Sequence, residues 1–214
     1  MNSLVLVMAG KGQRMNKNIN KILLPLGDKP IYEYSINLFK EFDFEIICVI
    51  NKDDEIIKED GIIYTYGGKT RSESVYNGLK IAKGDYVFIH DAARPLLSKE
   101  VIINILNNLN KNEAYLTYLE SVDTLKEIDN DKIITLDRNK IIRALTPQCA
   151  KKDILIDSYD KAFKDNKSFT DDISLIEEYH KEVKINLVKS NPENFKITTE
   201  FDYELAKVLV KKND

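Results

Sequence analysis

Cysteine and histidine are scarce in this 214-residue chain, with two of each. Neither Cys48 nor Cys149 belongs to a C-x-x-C pair, and His90 and His180 add little metal-ligand capacity. The pattern therefore excludes a disulfide framework and a thiolate zinc centre, and it points to a reducing compartment. Long apolar runs are also missing. The longest reach five or six residues, far short of the ~20 that cross a membrane. The first residues show no signal-peptide pattern, so a cytoplasmic location without membrane contact is expected. Charge of one sign is lacking as well: 32 basic against 35 acidic residues leave a net charge of −3. Such a chain has no general attraction for nucleic acid, and local basic clusters matter more than the total. No internal repeat and no low-complexity linker interrupts it.

What is present begins at the first strand. Leu4 to Met8 is an apolar run with β-branched Val5 and Val7, as in a strand buried on both faces. It opens into Ala9-Gly10-Lys11-Gly12-Gln13-Arg14-Met15. Gly10 and Gly12 let backbone N–H groups approach a ligand closely, and a loop of this kind leading into a helix start suits phosphate. Arg14 and Lys21 add cations. The stretch reads as a nucleoside triphosphate clamp. It is neither the dinucleotide fingerprint, whose third small residue is replaced by Met15, nor a P-loop, whose Gly-Lys-Ser/Thr is absent.

Strand and helix patterns then alternate. Helices are expected over 31–39, 72–82 and 101–109, and strands over 45–50, 62–66 and 86–89. This order predicts an α/β fold: a Rossmann-like, mostly parallel sheet with helices on both faces. Ligands in such sheets bind beyond the C-terminal strand ends. Three chemically loaded turns fall there: Gly10 to Arg14, Gly67 to Ser74, and His90 to Pro95. Asp91 is placed to meet a hydroxyl or a hard cation, with Arg94 beside it. From about 115 to 147 the alternation breaks, and this stretch reads as a protruding β-arm on a single domain spanning 1–214. Tyr115, Leu116, Tyr118 and Ile134 would need a partner there. Further helices are expected over 152–163 and up to about Tyr179, then a strand over 183–188. A last helix begins near Thr199, with Phe201, Leu205 and Val208 on one face.

Seven motifs occur in order: A-G-K-G-Q-R-M, N-K-I-L-L-P-L-G-D-K-P-I, G-G-K-T-R-S-E-S-V-Y-N-G-L, H-D-A-A-R-P, D-R-N-K-I-I-R-A-L-T-P-Q, F-T-D-D and N-F-K-I-T-T. Through them nearly the whole chain resembles the 2-C-methyl-D-erythritol 4-phosphate cytidylyltransferase family of the non-mevalonate isoprenoid pathway, with its nucleotidyltransferase (GT-A-like) fold. The resemblance implies transfer of CMP from CTP to a polyol phosphate, with release of pyrophosphate and no covalent intermediate. Arg14 and Lys21 match the stabilisers of the transition state. Magnesium, held largely by the triphosphate, would share that work, with Asp91 as its candidate protein ligand. The nucleotide site would comprise Met8, Ala9, Gly10, Gly12, Gly67, Gly68, Arg71, Ser74 and Asp91. Asp91, Arg94, Thr124, Arg138, Thr170 and Lys196 match the polyol phosphate site, where Arg138 and Lys196 position the attacking phosphate. The resemblance also implies a homodimer in which the arm carries Thr124 and Arg138 to the neighbour's site.

The chain departs from the family's usual pattern at Met8 (usually Ala), Asn20 (usually Pro), Lys69 (often acidic) and Cys149 (commonly Phe). Two alternatives stand beside this reading. One is a ribitol-5-phosphate cytidylyltransferase, against which Ala93 and Asp137-Arg138-Asn139 weigh. The other is a catalytically silent nucleotide-binding protein, against which the retention of Arg14, Lys21, Arg138 and Lys196 weighs.

Overall fold

The structure is a computed structural model that describes residues 1–10, 20–110, 112–130 and 132–213. In chain order the elements are β1 (Asn2–Val7), the short hairpin β2 (Pro25–Leu26) and β3 (Lys29–Pro30), α1 (Ile31–Lys40), β4 (Phe44–Ile50), β5 (Ile62–Tyr66), α2 (Arg71–Ile81), β6 (Tyr86–Asp91), α3 (Lys99–Leu106), β7 (Glu113–Glu120), β8 (Lys126–Asp129), β9 (Lys132–Thr135), β10 (Ile142–Lys151), α4 (Lys152–Lys164), α5 (Asp172–Tyr179), β11 (Lys184–Lys189) and α6 (Glu200–Asn213). Seven strands form one sheet in the order β11-β7-β10-β6-β1-β4-β5. All run parallel except β10, which is antiparallel to both β6 and β7. The expected mostly parallel α/β sheet is thus the observed one.

Period-two alternation divides the core into two layers. Leu4, Leu6, Ile46, Cys48 and Phe88 face one side, where Ile36 and Phe39 of α1 and Ile102 and Ile105 of α3 cover them. Val5, Ile47, Val49, Val87 and Ile89 face the other, under Val75 and Leu79 of α2, Leu155 and Tyr159 of α4 and Ile176 of α5. Covering on both faces explains why these strands are continuous apolar runs rather than alternating ones. Helix α2 packs unusually close. A Cβ at Gly78 would lie 2.6 Å from Val5 Cγ1 and 3.0 Å from Val49 Cγ2. Cys48 and Cys149 are buried free thiols, and burial pushes Cys48 up to about 12. Among the described residues no helix is long and apolar enough to cross a membrane.

Strand register places the site. Val7 lies beside both Val49 and Asp91, and Ile50 lies beside Tyr66. The turns after β1, β4, β5 and β6 therefore emerge together along one sheet edge, at the parallel strands' C-terminal ends.

Two expectations need correction. The stretch 115–147 is not one arm. Its flanks are the sheet strands β7 and β10, and Tyr115 and Leu116 are buried in the chain's own core. They need no second chain. Only 121–141 lies outside the sheet, where β8 and β9 pair with each other alone. An antiparallel strand returning without a crossover helix broke the alternation, and the break read as an arm. In α6, the stripe Phe201, Leu205 and Val208 faces outward, with Phe201 76% exposed. The packed stripe is Tyr203, Ala206 and Val210, set against Leu26, Ile31 and Ile197.

Candidate active site

A cavity of about 760 Å³ opens at the strand ends, within the usual size of small-molecule sites. Of the residues expected there, Met8, Ala9, Gly10, Lys21, Gly67, Gly68, Arg71, Ser74, Asp91 and Lys196 line it. Gly12 and Arg14 lie outside the described residues. Arg94 stands behind Asp91. Thr170 is exposed just before α5 and off the wall, and Thr124 and Arg138 are exposed on the segment outside the sheet.

At one end the wall is backbone held by side chains. A Cβ at Gly67 would sit 2.4 Å from Ala9 Cβ and 2.7 Å from Ser74 Oγ, so only glycine lets these turns touch. Thr70 caps α2 by accepting from Glu73 N–H at 3.1 Å. Ser74 Oγ donates to Thr70 O at 2.8 Å and accepts from Gly68 N–H at 3.1 Å. The G-G-x-x-R-x-x-S spacing thus folds one loop onto the first turn of its own helix.

At the other end is a charge cluster. Asp91 Oδ1 meets Arg71 Nε at 3.3 Å, while Oδ2 meets Lys196 Nζ at 2.9 Å and Arg94 Nε at 3.7 Å. Burial alone would raise the Asp91 pKa, but these three cations outweigh it and hold the carboxyl well below the usual carboxylate range. Arg71 in turn donates from Nη1 and Nη2 to the two oxygens of Asp172, at 2.9 and 2.8 Å. Burial works against its charge, yet Asp172 and Asp91 raise its pKa well above the ordinary value. Asp172 is fully buried and also accepts from Tyr159 Oη. Gln148 Oε1 accepts from the N–H groups of Asp172 and Ile173, at 2.9 and 3.0 Å. That fixes the start of α5 against β10.

Behind the cluster, hydrogen bonds close a ring. His90 Nδ1 meets Thr146 Oγ1 at 2.9 Å and Nε2 meets Arg94 O at 3.2 Å. Arg94 Nη1 donates to Asn194 O at 2.8 Å, and Asn194 Nδ2 donates to Thr146 O at 2.9 Å. Thr146 Oγ1 also accepts from Asp91 N–H at 3.1 Å, which leaves its own proton for His90 Nδ1. His90 is therefore a neutral ring with its proton on Nε2. Burial pulls its pKa down to about 4, against the opposing pull of Asp91. The ring joins the turn after β6 to the segment that carries Lys196. Sequence reasoning missed His90, Gln148, Asp172 and Asn194 as site-building residues. Their signal was membership of the motifs H-D-A-A-R-P, D-R-N-K-I-I-R-A-L-T-P-Q, F-T-D-D and N-F-K-I-T-T.

A model of the family described as IspD: 2-C-methyl-D-erythritol 4-phosphate cytidylyltransferase matches residues 3–212. The chain belongs to this cytidylyltransferase family. It is 37% identical to the 2-C-methyl-D-erythritol 4-phosphate cytidylyltransferase of Clostridium botulinum (strain Loch Maree / Type A3), over 99% of this chain and 98% of that one. With the enzyme so named in Clostridioides difficile (strain 630) it shares 34% identity, over 98% and 94% of the two chains. The crystal structure of 4-diphosphocytidyl-2C-methyl-D-erythritol synthase from Anaerococcus prevotii DSM 20548 superposes with a TM-score of 0.85 at 33% identity, covering 99% of this chain and 98% of that one. The 2-C-methyl-D-erythritol 4-phosphate cytidylyltransferase structure from Thermus thermophilus gives 0.84 at 25% identity, covering 99% and 100%.

Magnesium, which this cytidylyltransferase family implies, does not fit Asp91 as a protein-built ligand. Both Asp91 oxygens are engaged by cations, and the described residues contain no group of three acidic, histidine or cysteine side chains able to hold a metal.

Proposed function

We propose that the chain transfers CMP from CTP to 2-C-methyl-D-erythritol 4-phosphate, giving 4-diphosphocytidyl-2-C-methyl-D-erythritol and pyrophosphate. The observation that carries the reading is a nucleotide-sized cavity with Lys21, Arg71 and Lys196 on its wall, in a chain that matches this enzyme family from residue 3 to 212. A phosphate oxygen of the polyol substrate forms the new bond to the α-phosphorus of CTP. The bond from that phosphorus to the bridging β-phosphate oxygen breaks, and pyrophosphate leaves with its electrons. Charge builds on the α-phosphate oxygens meanwhile, and fixed cations stabilise it. Lys21 takes that role, with Arg14 as its partner from outside the described residues. Lys196, steadied by Asp91, orients the attacking phosphate. Met8, Ala9, Gly68 and Ser74 hold the cytidine. A divalent cation carried by the triphosphate would neutralise part of its charge.

We also infer a two-fold dimer and a cytoplasmic location. Ile128, Ile133 and Ile134 are 77%, 71% and 45% exposed on a two-stranded ribbon, and such ribbons are marginal alone in water. Pairing with the same ribbon of a second chain covers them. Thr124 and Arg138, off this chain's own cavity wall, then serve the partner's site. Two buried thiols without a disulfide accord with a reducing compartment.

Pyrophosphate release tests the reaction, measured with CTP and either 2-C-methyl-D-erythritol 4-phosphate or ribitol 5-phosphate. Release with the first is expected. A preference for ribitol 5-phosphate overturns the acceptor, and no release with either overturns the reading.

A further inference from the structure

Lys21 is held by a device outside the cavity's charge cluster. It opens a three-residue 3₁₀ turn, Lys21–Leu23, closed by Leu23 N–H on Asn20 O at 2.9 Å and Leu24 N–H on Lys21 O at 3.1 Å. A single such turn has no stability of its own, because nucleating a turn costs more than it returns. Something else must set where it sits.

Asn20 does this with its whole amide. The residue is 7% exposed. Its Nδ2 donates one proton to Met8 O at 2.9 Å and the other to Asp54 Oδ2 at 2.7 Å, while Oδ1 accepts from Ile22 N–H at 3.4 Å. Met8 N–H in turn donates to Val49 O at 2.9 Å in the central sheet. A continuous path of hydrogen bonds therefore runs from β4 through Met8 and Asn20 to the turn bearing Lys21. Asp54 locks it from the loop after β4, and Asp54 is not among the cavity's lining residues.

We propose that Asn20 is the positioning residue of Lys21, and that Asp54 acts on Lys21 through Asn20. The proposal rests on the reading of Lys21 as the cation that meets the α-phosphate. Both amide protons are committed to fixed acceptors, so the turn cannot rotate without breaking a charge-assisted bond. A displacement of about 1 Å at such a group can cost ~100-fold in rate. Loosening one of two anchors should cost less.

The test uses steady-state pyrophosphate release by the full-length protein, with kcat, KM for CTP and Tm measured for each variant. Asp54→Ala keeps its backbone bond to Asn51 O and should fold as wild type. It should lose on the order of tenfold in kcat, with KM for CTP within about twofold. Asn20→Asp turns a donor toward Asp54 and Met8 O into an acceptor and should lose more. Adding Asp54→Asn to Asn20→Asp exchanges donor and acceptor across the link and should recover part of that loss. In a Lys21→Ala background, Asp54→Ala should change residual kcat by less than about twofold, because the group it positions is gone. A wild-type kcat for Asp54→Ala beside a disabled Lys21→Ala overturns the positioning alone. So does an undiminished Asp54 effect in the Lys21→Ala background. A Lys21→Ala protein within about threefold of wild type, where the loss of such a cation costs ~10² or more, overturns the role of Lys21, and this proposal with it.

Discussion

The cavity wall and the ribbon hold their cations in opposite ways. At the strand ends, Arg71, Arg94 and Lys196 converge on Asp91, and Arg71 is fastened again by Asp172. Arg94 comes from the same turn as Asp91, while Arg71, Lys196 and Asp172 come from other parts of the chain, and the sheet brings them together. On the ribbon side, Arg138 is exposed and donates to Val122 O at 3.0 Å within the same short segment. The first arrangement is ordered before any ligand arrives, which is what electrostatic stabilisation of a developing charge requires. The second has little to order it within one chain. The Asp91 cluster is therefore fixed by this chain's own contacts, whereas the ribbon strands beside Arg138 pair only with each other among the described residues.

The sharpest break of this contrast is Asp172→Ala. It removes a buried carboxylate that holds half-buried Arg71 and Tyr159, leaving Arg71 with only Asp91 at hand, and losing such charged hydrogen bonds costs about 1.5–3 kcal/mol. Urea unfolding should show it, with little change in m. Next is Lys21→Ala, which should keep the wild-type unfolding midpoint and lose on the order of 10²–10³ in kcat. Arg138→Ala should leave CTP affinity by calorimetry intact and lower kcat/KM for the polyol phosphate by about 10- to 100-fold, as for one hydrogen bond to a charged group. Mixing it with Lys21→Ala sharpens the comparison. Half the re-assorted dimers are mixed, and one of their two sites carries no lesion, so about a quarter of wild-type activity should return. No recovery after demonstrated subunit exchange rules out a shared site.

Smaller effects follow from the buried ring and the ribbon surface. His90 has a folded pKa of about 4, against ~6.5 unfolded. The unfolded chain therefore binds the extra proton first as pH falls, and stability drops with acidity through that window. From about pH 7 to pH 5 the loss should be about 2 kcal/mol, and His90→Asn should flatten the slope. Asp91 does not contribute there. Its pKa is depressed, so its stabilisation is present above the ordinary carboxylate pKa and is lost as pH falls through and below that range. Last, Ile133→Lys on the ribbon should change chain stability by no more than about 0.5 kcal/mol, while sedimentation shifts from dimer to monomer.

Strand β1, the turns after β5 and β6 and most helices were legible because their signals are local. A buried parallel strand is a short apolar run, and a glycine pair at its end marks a close approach. Strand β10 was not legible as part of the sheet. Nothing in Ile142 to Lys151 says that it runs against its neighbours, because that depends on Gln148 finding Ile89 and Leu116 across the sheet. The inward face of α6 was hidden for another reason. Phe201, Leu205 and Val208 and the rival stripe Tyr203, Ala206 and Val210 both have helical spacing, and only the cluster beneath α6, formed by Leu26, Ile31 and Ile197, chooses between them.

By itself the sequence determined the alternating α/β architecture and the family, since these rest on short apolar runs and on short motifs that follow one another along the chain. Which cation meets which carboxylate was decided only by the tertiary structure. Arg71 and Asp172 lie 101 residues apart, and Lys196 and Asp91 lie 105 apart. Charge pairing over such separations has no signature in the chain, because any acid attracts any base until the sheet sets the distances between them.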